Sequence, residues 1–448
     1  MCANKKVKLS LTQKTHVKKG LVYSSIEGSF AAAMISFGTN FVSAFAVNAL
    51  QSNALKNSLI TYLPSFLLSV SQLLSGWLSD KMGKRKIIVL VCVLFQSLSW
   101  LAIFWVSYFT RSITLLITLF TLNTVIGYFG NTPWTSWLGS LIPDRKRGKY
   151  FGKRETVINL SLLISSAAAG FIITSISKTD VFTGFGIAFH LAALFRFISF
   201  IYLMKQYEPP YSPPEVVESL ISIKTFLQYK NYIRFVIFNF FLYWAVGFCS
   251  ANFTIYILRD LRFDYFQFTM TNLASALGMM IFSGYWGMLR DKYGSLYAYK
   301  VSVLPVFVIA LLWYLSGNYY ILLFSMILSG FCWSGVKISS LNIFYDHVPE
   351  KDRNRVYGVG SIFATFGAVF GAVVGGIAVD YFISVKQSML ISAIIRFILP
   401  VVLFTGIIRR KKHEPHTPPI IFQFTAGIPV YLYNRSVFFF RKLLFQNK

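Results

Sequence analysis

Long apolar runs of about 20 residues, each able to cross a bilayer as a helix, alternate along this chain with short polar turns. Twelve can be marked. In the first half they cover residues 24–50, 57–79, 87–109, 112–141, 156–177 and 181–204. In the second half they cover residues 231–258, 265–289, 297–316, 319–346, 356–380 and 386–408. Residues 1–23 read as a polar arm. Residues 205–230, with Pro209-Pro210 and Pro213-Pro214, read as a linker. Inside the linker, Val216, Val217, Leu220, Ile221, Ile223, Phe226 and Leu227 predict a short amphipathic surface helix over 216–229.

Composition points to a bilayer as solvent. The chain is 55% hydrophobic and 13% charged, where a soluble domain carries about 25% charged residues. Its net charge of +27 does not indicate nucleic acid, because the basic residues lie in short clusters between apolar runs. With the N-terminus inside, only Lys56, Arg111, Lys178, Arg259, Arg262 and Lys386 fall in outside loops. Nearly all the other Lys and Arg residues fall in inside segments, as the positive-inside rule requires. Twelve spans with both termini cytoplasmic follow. No apolar stretch precedes Cys2, so the arm reads as cytoplasmic rather than as a cleaved leader. Cys92, Cys249 and Cys332 fall inside apolar runs without metal or disulfide spacing and read as packing residues.

The halves repeat one another. Gly76-Trp77-Leu78-Ser79-Asp80-Lys81-Met82-Gly83 returns as Gly287-Met288-Leu289-Arg290-Asp291-Lys292-Tyr293-Gly294, each copy at the end of an apolar run. Arg196-Phe197-Ile198 matches Arg396-Phe397-Ile398, and Asn40-Phe41 matches Asn252-Phe253. The segment from Pro143 to Gly152 likewise matches that from Pro349 to Gly358. Parallel repeats related by an axis along the membrane normal are a transporter architecture.

On these residues, from about 20 to 408, the chain resembles the major facilitator superfamily. The loop Gly76 to Lys86 fits that family's G-x-L-x-D-R/K-x-G-R-R/K pattern. The second copy has Ser295 and Leu296 in place of the basic pair. The resemblance implies an all-α integral membrane fold, with 12 transmembrane helices in two six-helix bundles related by internal pseudo-symmetry. It also implies a central cavity lined by spans 1, 4, 7 and 10, alternating access, and a latch in which Asp80 faces the N-terminus of span 11. A carboxylate is attracted there by the helix dipole. Gly76, Asp80, Lys81, Gly83, Lys84 and Arg85, with Asp291 and Gly294 of the second copy, are the candidate gate.

Ionisable residues inside a membrane are functional candidates. Lys337 lies about 13 Å from the cytoplasmic end of span 10, beside Trp333, Ser334, Ser339, Ser340 and Asn342. It is the candidate contact for an anionic or zwitterionic solute, with a snorkelling or helix-pairing lysine as the alternative. Asn40, Asn48, Asn123, Asn131, Asn239, Asn252 and Trp333 are expected around the solute, joined by Gln72 and Asn159, although Asn and Gln also stitch helices together. Arg196 and Arg396 are expected to bind carbonyls or a carboxylate within their own bundles. Glu27, at the opening of span 1, is expected to pair with basic residues. His190 reads as a packing residue.

No ATP-binding loop appears, no acid lies mid-span in spans 1, 4, 7 or 10, and no side-chain cluster suggests an enzyme or a metal site. Gly371 and Gly375 in span 11 read as a site of close helix packing. Tail residues 409–448, rich in Arg, Lys and aromatic side chains, predict an interfacial helix on anionic lipid. The expected function is secondary or facilitated transport, without cofactor, of a small polar solute, an anionic one included, across the cytoplasmic membrane. The expected partners are that solute and the lipid bilayer, with no nucleic acid, and the chain is expected to act as a monomer. Alternatives are export of amphipathic compounds, suggested by 45 Phe and 25 Tyr, and a non-transporting sensor on the same fold.

Overall fold

Each predicted apolar run is helical in the computed structural model, which describes residues 11–142, 144–209, 223–349 and 352–404. The predicted tail and most of the predicted linker helix lie outside the described residues, apart from a helical turn at Ile223–Phe226. Span 1 covers Lys19–Asn48, span 3 Arg85–Thr110, span 4 Ile113–Leu141, span 5 Tyr150–Ser177 and span 6 Val181–Lys205. Span 7 covers Lys230–Asp260, span 9 Ser295–Leu315, span 10 Tyr319–His347 and span 11 Val356–Tyr381. These nine are long and apolar enough to cross a membrane. Spans 2 (Ala54–Met82), 8 (Tyr265–Tyr293) and 12 (Val385–Phe404) complete the set of twelve. Span 2 carries Asn57, Pro64 and many serines, which dilute its apolar character.

Spans 2, 4, 6 and 10 start on polar caps. Asn53, Ser112, Asp180 and Asn318 each accept hydrogen bonds from first-turn backbone N–H groups, which otherwise have no intrahelical acceptor. The duplicated loop glycines have a backbone reason to be glycine. Gly83 ends span 2 in the left-handed region at φ 62°, and Gly294 precedes span 9 at φ 89°. A side chain is strained at either position.

Two helices run further than the apolar pattern indicates. The first already begins at Leu11, so Glu27 is not at the opening of span 1. It lies eight residues beyond Lys19, about 12 Å along the helix. The fifth begins at Asp144, which puts Arg154 inside a helix rather than in a loop.

Contacts group the chain into two units. Unit 1 holds the first six spans together with Gly247–Met270 and Ser361–Val385. Unit 2 holds Ser222–Val246, Thr271–Gly360 and the residues from Lys386 on. Unit 1 is centred on buried aromatic packing. Phe45 meets Phe182, Phe185 and Phe189, and Trp100 lies against Phe189. In unit 2, Tyr232, Phe235, Tyr299, Val336, Phe344 and Val356 share one buried cluster.

Candidate functional site

Unit 1 buries a chain of polar side chains drawn from five of its first six spans. Glu27 of span 1 is 5% exposed. Its Oε1 accepts from the Ser199 hydroxyl at 3.1 Å and lies 3.8 Å from an Arg196 nitrogen of span 6. Its Oε2 lies 3.6 Å from Nη2 of Arg154 of span 5. Arg196 also donates to Gln96 Oε1 of span 3 at 2.6 Å. Gln96 in turn meets Asn123 of span 4, whose amide donates to the Gln96 carbonyl at 3.2 Å and to Ser99 at 2.7 Å. Arg154 donates to the Ser24 carbonyl and hydroxyl at 3.3 and 3.2 Å. Its guanidinium sits 4.7 Å from the Trp134 ring.

This chain borders a cavity of about 290 Å³ walled by Ala31, Ala32, Ile35, Val93 and Leu162, with Asn131 and Trp134 on its rim of span 4. Gly28 makes room for the charge. A Cβ there would come within 2.6 Å of Arg154 Nη2.

The twin arginines differ in partner. Arg196 meets a carboxylate, whereas Arg396 of unit 2 donates to the Val246 carbonyl at 3.3 Å. Of the expected solute contacts, Asn131 lines the Glu27 cavity and Asn40 is exposed outside its lining. Asn239 is committed elsewhere. Its oxygen accepts from Tyr299 at 2.9 Å and its nitrogen donates to the Phe235 carbonyl at 3.0 Å, so it stitches spans 7 and 9 together. Asn123 is likewise held between spans 3 and 4. Asn252 is fully buried, with neither amide atom hydrogen-bonded among the described residues. In unit 2, Lys337 is exposed and Trp333 packs on Tyr243 with ring centroids 5.6 Å apart. Asn159 is exposed, and the side chains of Gln72 and Asp80 lie outside the described residues. His190 contacts the Gly186 carbonyl at 2.7 Å and packs on Phe104 and Trp105.

The basic end of the first loop grips its own unit. Arg85 is buried and donates to the Ser136 carbonyl at 3.1 Å. Lys86 donates to the carbonyls of Met204 and Gln206 at 2.9 and 2.8 Å, where the C-terminal end of span 6 attracts cations. Glu208 accepts from the N–H groups of Arg85 and Lys86 and caps span 3. Lys81 and Lys84 are exposed. In the second copy Asp291 is exposed and pairs with Arg290 at 2.8 Å. Ser295 donates to Asp346 of span 10.

At the opposite end of unit 1, polar contacts close helix on helix. Asp380 of span 11 accepts from the N–H groups of Ala54 and Leu55 at the start of span 2. Asn57 donates to the Ala251 carbonyl and accepts from Ser43, and Tyr62 meets Ser250. Asn48 donates to Tyr265, and Arg259 to the Val47 carbonyl. A Cβ on Gly375 would strike the Phe248 carbonyl, so this end of the small-residue stripe is spent on packing span 11 against span 7. Neither Asp380 nor Arg154 stands out from the sequence. Asp380 ends an apolar run like any helix-terminal acid, and Arg154 belongs to a basic cluster that reads as a loop.

Twelve apolar spans define a multi-pass membrane protein. The family model for the Major Facilitator Superfamily matches residues 28–256 and again residues 235–446, once for each half. The chain belongs to the major facilitator superfamily of membrane transporters. No curated protein matches. Among solved structures, the nucleoside transporter NupG shares 13% identity at a TM-score of 0.68, with 88% of this chain and 100% of that one covered. A bacterial homologue of the iron transporter ferroportin in its inward-facing state shares 13% at 0.67, covering 90% and 100%. A bacterial homologue of the human lysosomal transporter Spinster, inward-facing and unoccupied, shares 12% at 0.65, covering 88% and 97%. At these identities the likeness speaks for the fold.

Proposed function

We propose that this protein is a secondary or facilitative transporter, not an enzyme, that carries a small polar solute across the cytoplasmic membrane by alternating access. In this reading both termini are cytoplasmic and the Asp380 end of unit 1 faces outside. The observation that carries it is the closure at that end. Asp380 on span 2, Asn57 on the span 7 backbone and Asn48 on Tyr265 are polar, reversible contacts beside the apolar packing of that end. Such contacts suit a gate that opens and shuts at modest cost. A closed outer end matches an inward-facing state, the state named for two of the similar structures.

Nucleosides are reasonable first probes, since they are the cargo named for NupG. Small organic anions are the second class, because the Glu27 cavity sets two buried arginines, Arg154 and Arg196, against one buried glutamate. Uptake into proteoliposomes, measured with and without a pH gradient, tests the reading. Protein-dependent, saturable uptake of a polar solute is the expected result. Purified protein that binds polar solutes but never moves one would leave the sensor alternative in its place.

A further inference from the structure

We infer that the Glu27 cavity is a binding site for a compact organic monocarboxylate, held by Arg154 and Trp134 within the first six spans. The inference rests on the transport reading only in treating that anion as cargo.

Charge is the first argument. Glu27 supplies one buried carboxylate against the two buried guanidiniums of Arg154 and Arg196. Glu155 also lines the cavity, 3.4 Å from Arg154, but its side chain is 57% exposed, and water screens it. A buried net positive charge is costly without a counter-ion, and one monoanion balances it.

Unfilled hydrogen bonds are the second argument. Glu27 Oε2 and Trp134 Nε1 are buried and have no hydrogen-bond partner among the described residues. Arg154 Nη2 stands 3.6 Å from Glu27 Oε2, too far for a hydrogen bond. Arg196 is held by Gln96 at 2.6 Å and Ser199 at 3.2 Å. Arg154 gives Nε to Ser24 at 3.2 Å and Nη1 to Glu155 at 3.4 Å, which leaves its Nη2 donors for a ligand in the cavity it lines. A guanidinium fork suits a carboxylate bidentately, and the indole N–H can add a third donor.

Shape and wall chemistry select the ligand. A water occupies about 30 Å³ of liquid, so 290 Å³ takes the volume of roughly ten waters, room for a compact solute. Beyond the charged groups, Asn131 and Trp134, the walls are Ala, Ile, Val, Leu and Gly. They favour a short hydrocarbon body with one charged head over a doubly charged, strongly hydrated phosphate. Glu27 then acts as an internal stand-in, holding Arg154 while the cavity is empty and yielding it to the incoming carboxylate.

The test is a thermal-stability titration of the purified full-length protein with sodium lactate, sodium phosphate or sodium chloride at constant ionic strength. Lactate is expected to stabilise saturably, whereas phosphate and chloride are not. Glu27→Gln removes the competing carboxylate and should tighten the lactate midpoint by about tenfold. Trp134→Phe keeps the ring, loses the N–H and should weaken it by about fivefold. Arg154→Gln should abolish the response. If that variant does not fold, the other two decide, because they change affinity in opposite directions. A phosphate response equal to lactate's, or weaker lactate binding in Glu27→Gln, would overturn the proposal. Binding is read in detergent, apart from transport. Lactate that binds but is not moved leaves the site standing and counts against the transport reading, whereas transport of other solutes without lactate binding does the reverse.

Discussion

The Asp380 carboxylate accepts hydrogen bonds from the backbone N–H groups of Ala54 at 2.8 Å and Leu55 at 3.1 Å. It thereby supplies span 2 with two acceptors that its own first turn lacks. A carboxylate at a helix N-terminus contributes about 0.3–1 kcal/mol when exposed and up to about 2 kcal/mol when partly buried. That is enough to bias a gate without locking it.

Asp380→Asn keeps the shape and removes the charge. It should therefore open the outer end more often. Cys249, buried in the adjoining part of span 7, provides the readout. Its labelling by a membrane-impermeant maleimide added from outside should rise by a factor of about 2–30, the factor matching that loss of dipole stabilisation. An unchanged labelling rate would exclude Asp380 from the gate.

The matched arginines should differ in their effect on stability. Arg196→Ala removes one of the two guanidiniums beside the buried Glu27 carboxylate and the donor of Gln96 Oε1, and breaking a buried pair costs up to about 3–5 kcal/mol. Arg396→Ala removes a hydrogen bond to the Val246 carbonyl, which costs about 1–3 kcal/mol. Thermal unfolding in detergent should rank Arg196→Ala below Arg396→Ala. The opposite order would contradict the asymmetry between the two halves.

The loop glycines should also separate. Gly83→Ala places a Cβ at φ 62°, ψ 13°, a left-handed position that costs about 1–2 kcal/mol. Gly294→Ala places one at φ 89°, ψ 161°, a region almost confined to glycine that costs about 1–3 kcal/mol. The second copy of the loop lacks its basic pair, yet its glycine should tolerate substitution less well. Unfolding midpoints of the two variants check this.

Asp180 caps span 6 by accepting from the Thr183 hydroxyl, the Thr183 N–H and the Phe182 N–H. The Thr183 side-chain bond, ahead of the backbone bonds, holds its carboxyl below the ordinary aspartate range. A depressed folded-state pKa adds stability that is present above the ordinary value and fades as pH falls through the folded one. The stability gap between the native protein and Asp180→Ala should therefore be full at neutral pH and shrink only in strongly acidic buffer. A gap that widened on acidification would reverse the assignment.

Much of this was legible in the sequence because bilayer thickness and repeat symmetry act on residues close together in the chain. The twelve helices, the duplicated loop and the two arginine positions all leave local marks. Asp380 meets Ala54 across 326 residues, and nothing local to either residue records that pairing. Arg154 was hidden for a different reason. Basic residues and glycine near residue 150 look like a loop, but the helix from Asp144 to Ser177 runs straight through them and carries the guanidinium to Glu27. Asn239 shows the converse, since a polar residue within an apolar run suggests a solute contact until Tyr299 is seen to occupy it.

Counterflow tests the central claim most directly. Proteoliposomes preloaded with an unlabelled compact polar solute, a nucleoside or a short monocarboxylate, are diluted into a trace of the labelled form. Alternating access predicts a transient overshoot of label that protein-free vesicles lack and that Asp380→Asn alters in rate. A flat trace for every solute, from protein that remains folded and correctly inserted, would contradict it.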